Sequence, residues 1–420
     1  MSFLDDLRYA ARSLRRRPAM LAVIVFTLSI GIAANAIVFG IVDQLLLQAP
    51  ALVAAPDAVK RIYYRTIGDD KAPSYNSVTT YPVLTAIRER APGFSDVSAI
   101  SFPSDWSFGA GADAINARVQ MVSGNYFRLL GVLPSLGRMF TPDEDRIPEG
   151  DRVAVVSSGF WEQQLGALPA PDVVGRSVTL QGKQFTIVGV APRGFTGVDR
   201  QKVDIWIPIS AMASDQSGPE WHNKANSWWL QLIGRVRGDV APEVAAAQAT
   251  VAYRATMKEL RNDSSNSAVV LTSIIGTRTP SGVSAESKVS LWLMGVSVIV
   301  LLIACANVAN LLIARTMDRQ REIAVRAALG VSRSRLLQLL FAESALVAGL
   351  GAAVALGVAF SASRVVQRVL LPNIVWSESV VDGRVLTVAL VATLLCVMFA
   401  GFAPVAQGLS VRVADGLKAS

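Results

Sequence analysis

Residues 19–47 read AMLAVIVFTLSIGIAANAIVFGIVDQLLL, an apolar stretch with a few isolated polar residues. A helix needs about 20 apolar residues to cross the roughly 30 Å of hydrocarbon in a bilayer. Three further stretches meet this requirement, over about 289–314, 336–360 and 385–406. They raise the hydrophobic fraction to 52% and leave 17% of the residues charged. We therefore expect an α-helical membrane protein with four transmembrane helices.

The first stretch also shares features with a cleavable signal peptide. Arg15, Arg16 and Arg17 precede it, and residues 34–36 (Ala-Asn-Ala) imitate a cleavage site. However, apolar residues continue to Val42, well past the length of a signal-peptide core. The length therefore favours an uncleaved transmembrane helix.

Basic residues are concentrated beside the apolar stretches. Residues 1–19, 315–335 and 407–420 account for the whole net charge of +8. Because short loops rich in Lys and Arg stay in the cytoplasm, we expect both termini and the connector 315–335 inside and residues 48–287 outside. Anionic lipid is the expected partner of these basic residues, and nucleic acid is not.

The charge and hydropathy patterns predict a definite domain organisation. The N-terminal residues place apolar side chains on one helical face with arginines beside it, which is typical of a helix on a membrane surface. The predicted segments are a cytoplasmic amphipathic helix (1–18), a first transmembrane helix (19–47), an outer domain (48–287) and a C-terminal membrane domain (288–420) containing the cytoplasmic connector.

Residues 48–287 alternate between strand and helix patterns, which predicts an α+β domain. Gln181-Gly182 marks the turn of a β-hairpin, and a helix is predicted to begin at a Ser77 cap and to end at Arg90.

A second helix of this domain is predicted over 242–260, because a proline stands in its first turn. Its apolar face is expected to contain Val244, Ala247, Val251 and Ala255.

Motifs for catalysis or cofactor binding are absent from the sequence. Gly182-Lys183 is followed by Gln184 and lacks the preceding glycine of a Walker A motif, so we expect no ATP hydrolysis by this chain. The two cysteines lie in apolar stretches and there is one histidine, which argues against a zinc site and a disulfide-stapled fold. We therefore predict a protein that is not an enzyme and has no cofactor, metal or catalytic residue.

Two clusters of the outer domain have alternative interpretations. The acidic residues 143–145 lack the alternating ligands and the closing Glu of a calcium loop, which favours a solvated loop. Trp221, Trp228 and Trp229 lie beside His222 and are compatible with a ligand-binding patch, with the core or with a belt at the membrane interface.

The connector 315–335 combines charge with an ordered pattern. Glu322 and Arg326 form a favourable helical pair, Gly330 is a natural end for this helix, and Ser332 can cap the next one. A connector that only sets topology would need the arginines but not the regularly placed apolar residues between them. We therefore predict a short helix and a glycine corner that face the cytoplasm.

Small and amide side chains recur within two of the predicted spans. Small residues let helices approach closely, and Asn forms hydrogen bonds between helices. The residues expected to pack helices together are Ala345, Gly349, Ala353, Gly357, Asn307 and Asn310. The near absence of charge inside the predicted spans argues against an ion-coupled carrier.

Four motifs occur together along the chain. They are SGNYF (123–127) with Gly137-Arg138 after it, GVAPRGFTG (189–197), CANVANLL (305–312), and RQREIAVRAALGVSR (319–333) with Glu343-Ser344 after it. This combination resembles the permease subunits of MacB- and FtsX-type ABC transporters, and more closely the duplicated orphan permeases of that group. The resemblance covers essentially the whole chain. It implies a MacB-like periplasmic core domain over 48–287, built of two subdomains, and an FtsX-like permease domain over 288–420.

The resemblance also implies a location and a set of partners. It indicates a multi-pass protein of the bacterial inner membrane whose connector docks on an ATP-binding subunit. The expected partners are that subunit, a second copy of the chain or a second permease half, and membrane lipid, with a periplasmic adaptor protein left open. The residues expected at the ATPase contact are Arg319, Arg321, Glu322, Ile323, Arg326, Leu329, Gly330, Ser332 and Arg335.

The function expected from these features is to couple ATP hydrolysis by a separate ATPase to a periplasmic conformational change, in efflux or export. The alternative is a membrane-anchored periplasmic sensor or binding module without an ATPase partner, and a periplasmic enzyme is the least supported class.

Two departures from the family bear on this expectation. MacB carries its ATPase on the same chain, and the duplicated permeases carry two copies of the unit found here once. A natural half and a part of a longer chain both remain open.

Overall fold

A computed structural model of the chain describes residues 12, 18–44, 48–67, 72–111, 114–199, 201–261, 265–275, 278–280, 282–283, 285–318, 333–370, 383–395 and 398. The chain divides into two compact units. The apolar helical unit contains the described residues of 1–44, 288–372 and 379–420, and the α+β domain contains those of 45–287.

The helices follow one another along the chain as α1 (Pro18–Val42), α2 (Tyr81–Arg90), α3 (Tyr126–Leu130), α4 (Ser158–Gln164), α5 (Ala170–Val173), α6 (Ala213–Ser217), α7 (Pro242–Glu259), α8 (Ala285–Asp318), α9 (Arg333–Leu370) and α10 (Gly383–Leu395). Short 3₁₀ turns occupy Pro56–Ala58, Pro142–Asp145 and Ile209–Ala211.

The strands are β1 (Val59–Ile67), β2 (Pro73–Asn76), β3 (Val78–Thr79), β4 (Phe94–Ile100), β5 (Ser104–Phe108), β6 (Ile115–Val122), β7 (Leu136–Gly137), β8 (Val153–Val156), β9 (Ser177–Leu180), β10 (Lys183–Val190), β11 (Ile205–Pro208), β12 (Leu230–Val236), β13 (Ser267–Ser273), β14 (Arg278–Thr279) and β15 (Gly282–Val283).

Two helices among the described residues are long and apolar enough to cross a membrane. They are the segments Leu21–Val42 of α1 and Ala345–Ser363 of α9. Shorter apolar segments occupy Trp292–Asn307 of α8 and the whole of α10. All four segments coincide with predicted spans. Because only two of those described reach the required length, four transmembrane helices remain a prediction.

The core of the apolar helical unit lies mainly between α1 and α9, with side chains from α8 and α10. Ile24, Leu28 and Ile32 of α1 are fully buried in this core. Cys305 of α8 is also buried and is disulfide-bonded.

The first part of the α+β domain is an antiparallel sheet with the strand order β13-β1-β12-β4. Helix α2 connects β1 to β4, and α7 connects β12 to β13. The two helices pack against each other, and in addition α2 packs on β4 and α7 packs on β13. This is the split β-α-β arrangement of ferredoxin-like folds. We call residues 59–100 and 230–273 the sandwich subdomain.

Residues 101–229 are inserted between β4 and β12 and form a second part, the barrel subdomain. Its strands pair in the closed ring β5-β6-β11-β8-β10-β9, because β11 also pairs with β6 and β9 with β5. A closed ring of strands has no free edge. The α+β class predicted for this part of the chain is confirmed.

The predicted hairpin between β9 and β10 is confirmed. Gln181 and Gly182 both have positive φ angles, of 48° and 75°, as a two-residue type I′ turn requires.

The predicted start of α2 at Ser77 is wrong. The residues before Thr80 pair as β2 and β3, so the helix begins at Tyr81 with Thr80 in its cap position.

The predicted apolar face of α7 is also wrong. Val244 and Val251 are exposed, whereas Ala245, Ala249 and Tyr253 are buried. Alanine lets α7 approach its neighbours closely, and the Tyr253 ring lies 4.7 Å from that of Tyr64 in β1. The buried face of α7 is therefore decided by close packing of its alanines, and not by the larger apolar area of its valines.

Candidate functional site

The residues predicted to contact an ATPase lie almost entirely outside the described part of the chain. Residues 319–332 fall there, and with them Arg319, Arg321, Glu322, Ile323, Arg326, Leu329, Gly330 and Ser332. Arg335 belongs to the first turn of α9. Their role stays a prediction.

Helix α9 presents small residues on two opposite faces. Gly351, Ala355 and Ala359 repeat every four positions on the face buried in the apolar helical unit. A Cβ atom at Gly351 would lie 3.0 Å from the Cβ of Leu28 in α1. This glycine therefore allows the close approach of α1 and α9.

The predicted row of small residues lies on the other face of α9. It is displaced from the buried row by two positions, which is about 200° around a helix. Gly349, Ala353 and Gly357 are exposed, and Ala345 is half-buried. A Cβ atom at Gly349 or Gly357 would meet no heavy atom within 4 Å. Within the described part of the chain, this row does not pack against another helix.

An amide side chain that the sequence did not single out for packing joins α1 to α8. The Asn35 side chain donates to the carbonyl oxygens of Ser297, at 2.8 Å, and Gly31, at 3.0 Å. A Cβ atom at Gly31 would lie 2.7 Å from that of Ala304. In contrast, the predicted Asn307 and Asn310 are both exposed. The Ala-Asn-Ala sequence that imitates a cleavage site is thus a helix-packing site in the structure.

An ion pair links the ends of two apolar helices. Asp43, directly after α1, has a side chain that is 1% exposed, and its Oδ1 lies 3.0 Å from a guanidinium nitrogen of Arg384 in α10. Because a buried carboxylate needs a compensating charge, this pair fixes α1 against α10 at that end.

The SGNYF motif joins neighbouring elements of the α+β domain through hydrogen bonds. The Asn125 side chain donates to the Asp96 carboxylate at 2.6 Å and to the carbonyl oxygen of Val97 at 2.9 Å. It also accepts a hydrogen bond from Arg88 at 3.0 Å, while the Ser123 hydroxyl accepts one from an amide of β4. The motif therefore holds α3 against both α2 and β4.

The second motif of this domain, residues 189–197, meets the first through its last glycine. Gly197 has a φ of 85°, and a Cβ atom there would lie 2.5 Å from the Tyr126 hydroxyl oxygen. Phe195 packs with Phe127 and Trp206 in the same buried aromatic cluster. Both motifs thus build a common core.

The acidic residues 143–145 are not a fully solvated loop, which corrects that expectation. Glu144 is buried and bound by Arg138. Asp145 accepts hydrogen bonds from the amides of Gly124 and Ser210 and from the Ser210 hydroxyl. Burial raises the pKa of Asp145, and these hydrogen bonds offset the rise in part. Among the described residues, no group of three His, Cys, Asp or Glu side chains could hold a metal ion.

The tryptophan cluster belongs to the core at its centre. Trp221 is fully buried, and its indole N–H donates to the carbonyl oxygen of Pro148 at 3.1 Å. Its ring lies 4.8 Å from that of Tyr81, and Trp228 and Trp229 pack against the same core. The core interpretation is the one that the structure supports.

Comparisons with known families agree with this arrangement. A family model described as the MacB-like periplasmic core domain matches residues 21–252, and one described as the FtsX-like permease C-terminal domain matches residues 294–411. The chain belongs to the MacB/FtsX-type ABC transporter permeases. As a permease of this family, it is a membrane protein with a periplasmic core domain.

Curated relatives of this permease include macrolide export ATP-binding/permease proteins. MacB 2 of Aeromonas hydrophila subsp. hydrophila is 30% identical over 241 residues, which cover 56% of this chain and 34% of the relative. MacB 1 of Yersinia pestis bv. Antiqua is 23% identical over 421 residues, which cover 99% of this chain and 60% of the relative. The matched regions thus cover between about a third and three fifths of the length of these two relatives.

Two solved structures that are similar to the permease are of outer domains. The periplasmic region of MacB from Actinobacillus actinomycetemcomitans is 14% identical and covers 52% of this chain and 89% of its own, with a TM-score of 0.37. The extracellular domain of the noncanonic ABC-type transporter YknZ from Gram-positive bacteria is 12% identical and covers 50% and 99%, with a TM-score of 0.36.

Proposed function

We propose that the chain is the permease subunit of an ABC-type complex and couples ATP hydrolysis by a separate ATP-binding subunit to a conformational change of its periplasmic domain, in efflux or export. The observation that carries the proposal is the order of two family matches on a chain without a Walker A motif. The curated relatives combine ATP-binding and permease functions by name, and this chain matches part of their length.

The connector supplies the contact with the ATP-binding subunit in this proposal. Ile323 and Leu329 provide apolar surface for a groove on the partner, as in other helix-in-groove contacts. Glu322 and Arg326 fix the register, and Gly330 forms the corner that leads into α9.

Two substitutions in the connector test the coupling. Glu322→Lys and Gly330→Val should reduce the stimulation of the co-purified ATPase by at least about fivefold, the lower end of common coupling energies. Gln320→Lys is the matched control, because it adds positive charge outside the predicted contact residues. ATPase rates are measured on complexes in lipid nanodiscs with equal amounts of permease.

Two results would contradict the proposed coupling. If both variants stimulate the ATPase as well as the wild type does, the connector serves only to set topology. If no ATP-binding subunit co-purifies under conditions that preserve the complex, the sensor or binding module becomes the better interpretation.

The proposed orientation places the connector and both termini in the cytoplasm. Cysteines introduced at Gly218 of the periplasmic domain and at Gln320 of the connector should therefore react with an impermeant maleimide from opposite sides of the membrane. Labelling of both from one side would contradict the orientation.

We further propose that two copies, or this chain and a second permease half, pair through the exposed row of α9. The support is that Gly349 and Gly357 leave open space on a helix long enough to cross the membrane. Small residues on lipid-facing surfaces are typical of sites where helices of different chains approach.

A further inference from the structure

Residues 48–58 follow α1 and lead into β1, so they connect the apolar helical unit to the periplasmic domain. We call them the connecting segment, which is distinct from the connector at residues 315–335. Leu52 and Ala55 have φ angles of 64° and 41°, in the left-handed region that favours glycine. A residue with a Cβ atom adopts this conformation at a cost, so the surrounding structure has to hold it there.

Arg235 of β12 holds this segment at Ala54 and Ala55. Its Nε donates to the carbonyl oxygen of Leu129 at 2.9 Å. One terminal nitrogen donates to the carbonyl oxygen of Ala54 at 2.7 Å, and the other to that of Ala55 at 3.3 Å. One guanidinium group thus joins the connecting segment, the end of α3 and the sandwich subdomain.

The connecting segment also touches the end of α3 directly. The amide of Ala54 donates to the carbonyl oxygen of Leu130 at 2.9 Å. Gly131 ends α3 with a φ of 70°, and a Cβ atom there would lie 2.6 Å from the Cβ of Ala54. Glycine at position 131 therefore permits both the turn and the close approach.

The chemistry of this contact requires arginine. Its three acceptors are backbone carbonyl oxygens on two separate segments, and a planar guanidinium group presents several donors in fixed directions. A lysine ammonium is a compact donor and could not span all three. Arg237, two positions further along the chain, is instead exposed and pairs with Asp239 beside it.

The contact matters because of what the segment connects. A displacement of α1 that travels along the chain reaches the periplasmic domain through residues 45–58. If Ala54 and Ala55 were not fastened, the segment could absorb such a displacement by turning about its own backbone bonds.

We propose that Arg235 is a positioning residue that clamps the segment after the first transmembrane helix onto the periplasmic domain, so that displacements of this helix are transmitted to the domain. The second half of this inference rests on the proposed function. The clamp itself is tested first, without an ATPase.

The first experiment measures hydrogen–deuterium exchange on the full-length chain in lipid nanodiscs. Arg235→Ala should raise the exchange rate of a peptide covering residues 49–58 by about tenfold, because the clamp no longer opposes local opening. Arg235→Lys should raise it less, and Arg237→Ala, the matched control, should leave it unchanged. Equal exchange in Arg235→Ala and the control would overturn the clamp.

The second experiment measures transmission on the complex with the co-purified ATP-binding subunit. Exchange is compared between the nucleotide-free and the vanadate-trapped state. In the wild type and in Arg237→Ala, strands of the periplasmic domain such as β12 should exchange differently in the two states. In Arg235→Ala this difference should fall at least about threefold, while the barrel strand β8 keeps its protection and shows that the domain is folded.

The outcomes separate this inference from the proposed function. If Arg235→Ala retains the full nucleotide-dependent difference, the role given to Arg235 is overturned and the proposed function stands. If the wild type shows no difference, the proposed function fails, and the transmission role of Arg235 fails with it.

Discussion

The periplasmic domain buries two of its tryptophans completely, whereas the described helices of the apolar helical unit leave much of their apolar surface uncovered. Trp206 and Trp221 have no exposed surface. By contrast, 44% of the most apolar stretch of α1 and 28% of that of α9 are buried. The domain thus finds its packing partners within its own chain. The outward faces of the helices need lipid or another chain.

The largest effect is expected from a tryptophan in the domain core. Trp206→Ala should lower the free energy of unfolding of the periplasmic domain by about 3–5 kcal/mol, because Trp206 packs on Phe127 and Phe195 and its removal leaves a cavity. The measurement is urea unfolding followed by circular dichroism. Trp292→Ala in α8 is the control, because that side chain is 77% exposed and should leave this transition unchanged. A similar shift in both variants would contradict the difference between the two regions.

Replacing a glycine by leucine should have different effects on the two faces of α9. Gly351→Leu would collide with Leu28 and should destabilise the packing of α1 by about 1–3 kcal/mol. Gly349→Leu has open space and should leave the chain stable while it weakens pairing between copies. Thermal unfolding measures the first effect, and crosslinking in native membranes measures the second.

For each face of α9, one result would contradict the expected effect. A Gly349→Leu variant that unfolds as early as Gly351→Leu would show that the exposed row packs within the chain. Crosslinking that detects only monomers in the wild type would contradict pairing of two copies.

The smallest effect concerns a charge in the domain. Burial raises the pKa of Glu144, but hydrogen bonds from Arg138, at 2.8 and 2.6 Å, and from the Thr141 amide outweigh it and lower the pKa below its usual 4.5. Its stabilisation is therefore present above pH 4.5 and is lost as the pH falls through the lowered value.

Glu144→Gln should accordingly cost about 1 kcal/mol at pH 7, since a charged acceptor of hydrogen bonds is lost. The difference from the wild type should shrink as the pH falls through the lowered pKa of Glu144, because the carboxyl group then becomes protonated. Unfolding midpoints at several pH values measure it. A difference that stays constant from pH 7 to pH 3 would show that shape, not charge, is what Glu144 contributes.

Local patterns predicted the elements of this fold better than their contacts. The turn at Gln181-Gly182 followed from backbone preferences, which act within a few residues. The buried face of α7 depends on how closely α2 and β13 pack against it, and this is a property of several elements together. Apolar periodicity weighs the valines more heavily than the alanines, so it pointed to the wrong face.

The candidate site shows the same limit. The sequence contains two rows of small residues on α9, and spacing alone cannot say which row meets α1. In the sequence, Asn35 belongs to a stretch that imitates a cleavage site, and nothing there indicates its hydrogen bond to the carbonyl oxygen of Ser297 on α8. Arg235 carries no sequence signal of its role, because its acceptors are backbone oxygens from a segment far away in the chain.

The position of the barrel subdomain has a consequence for how such permeases diversify. The barrel leaves the sheet after Ile100 and returns before Leu230, and Ile100 is paired with Gln231 on the neighbouring strand. Its two ends therefore lie side by side, the geometry in which whole modules can be inserted or exchanged without disturbing the host fold. Relatives could acquire a new outer module through a single recombination at this point. A chimera with a foreign barrel grafted between β4 and β12 would keep the sandwich, the membrane helices and the hydrogen bonds from Arg235 to Ala54 and Ala55, and it would lose the contacts that α3 makes with this segment.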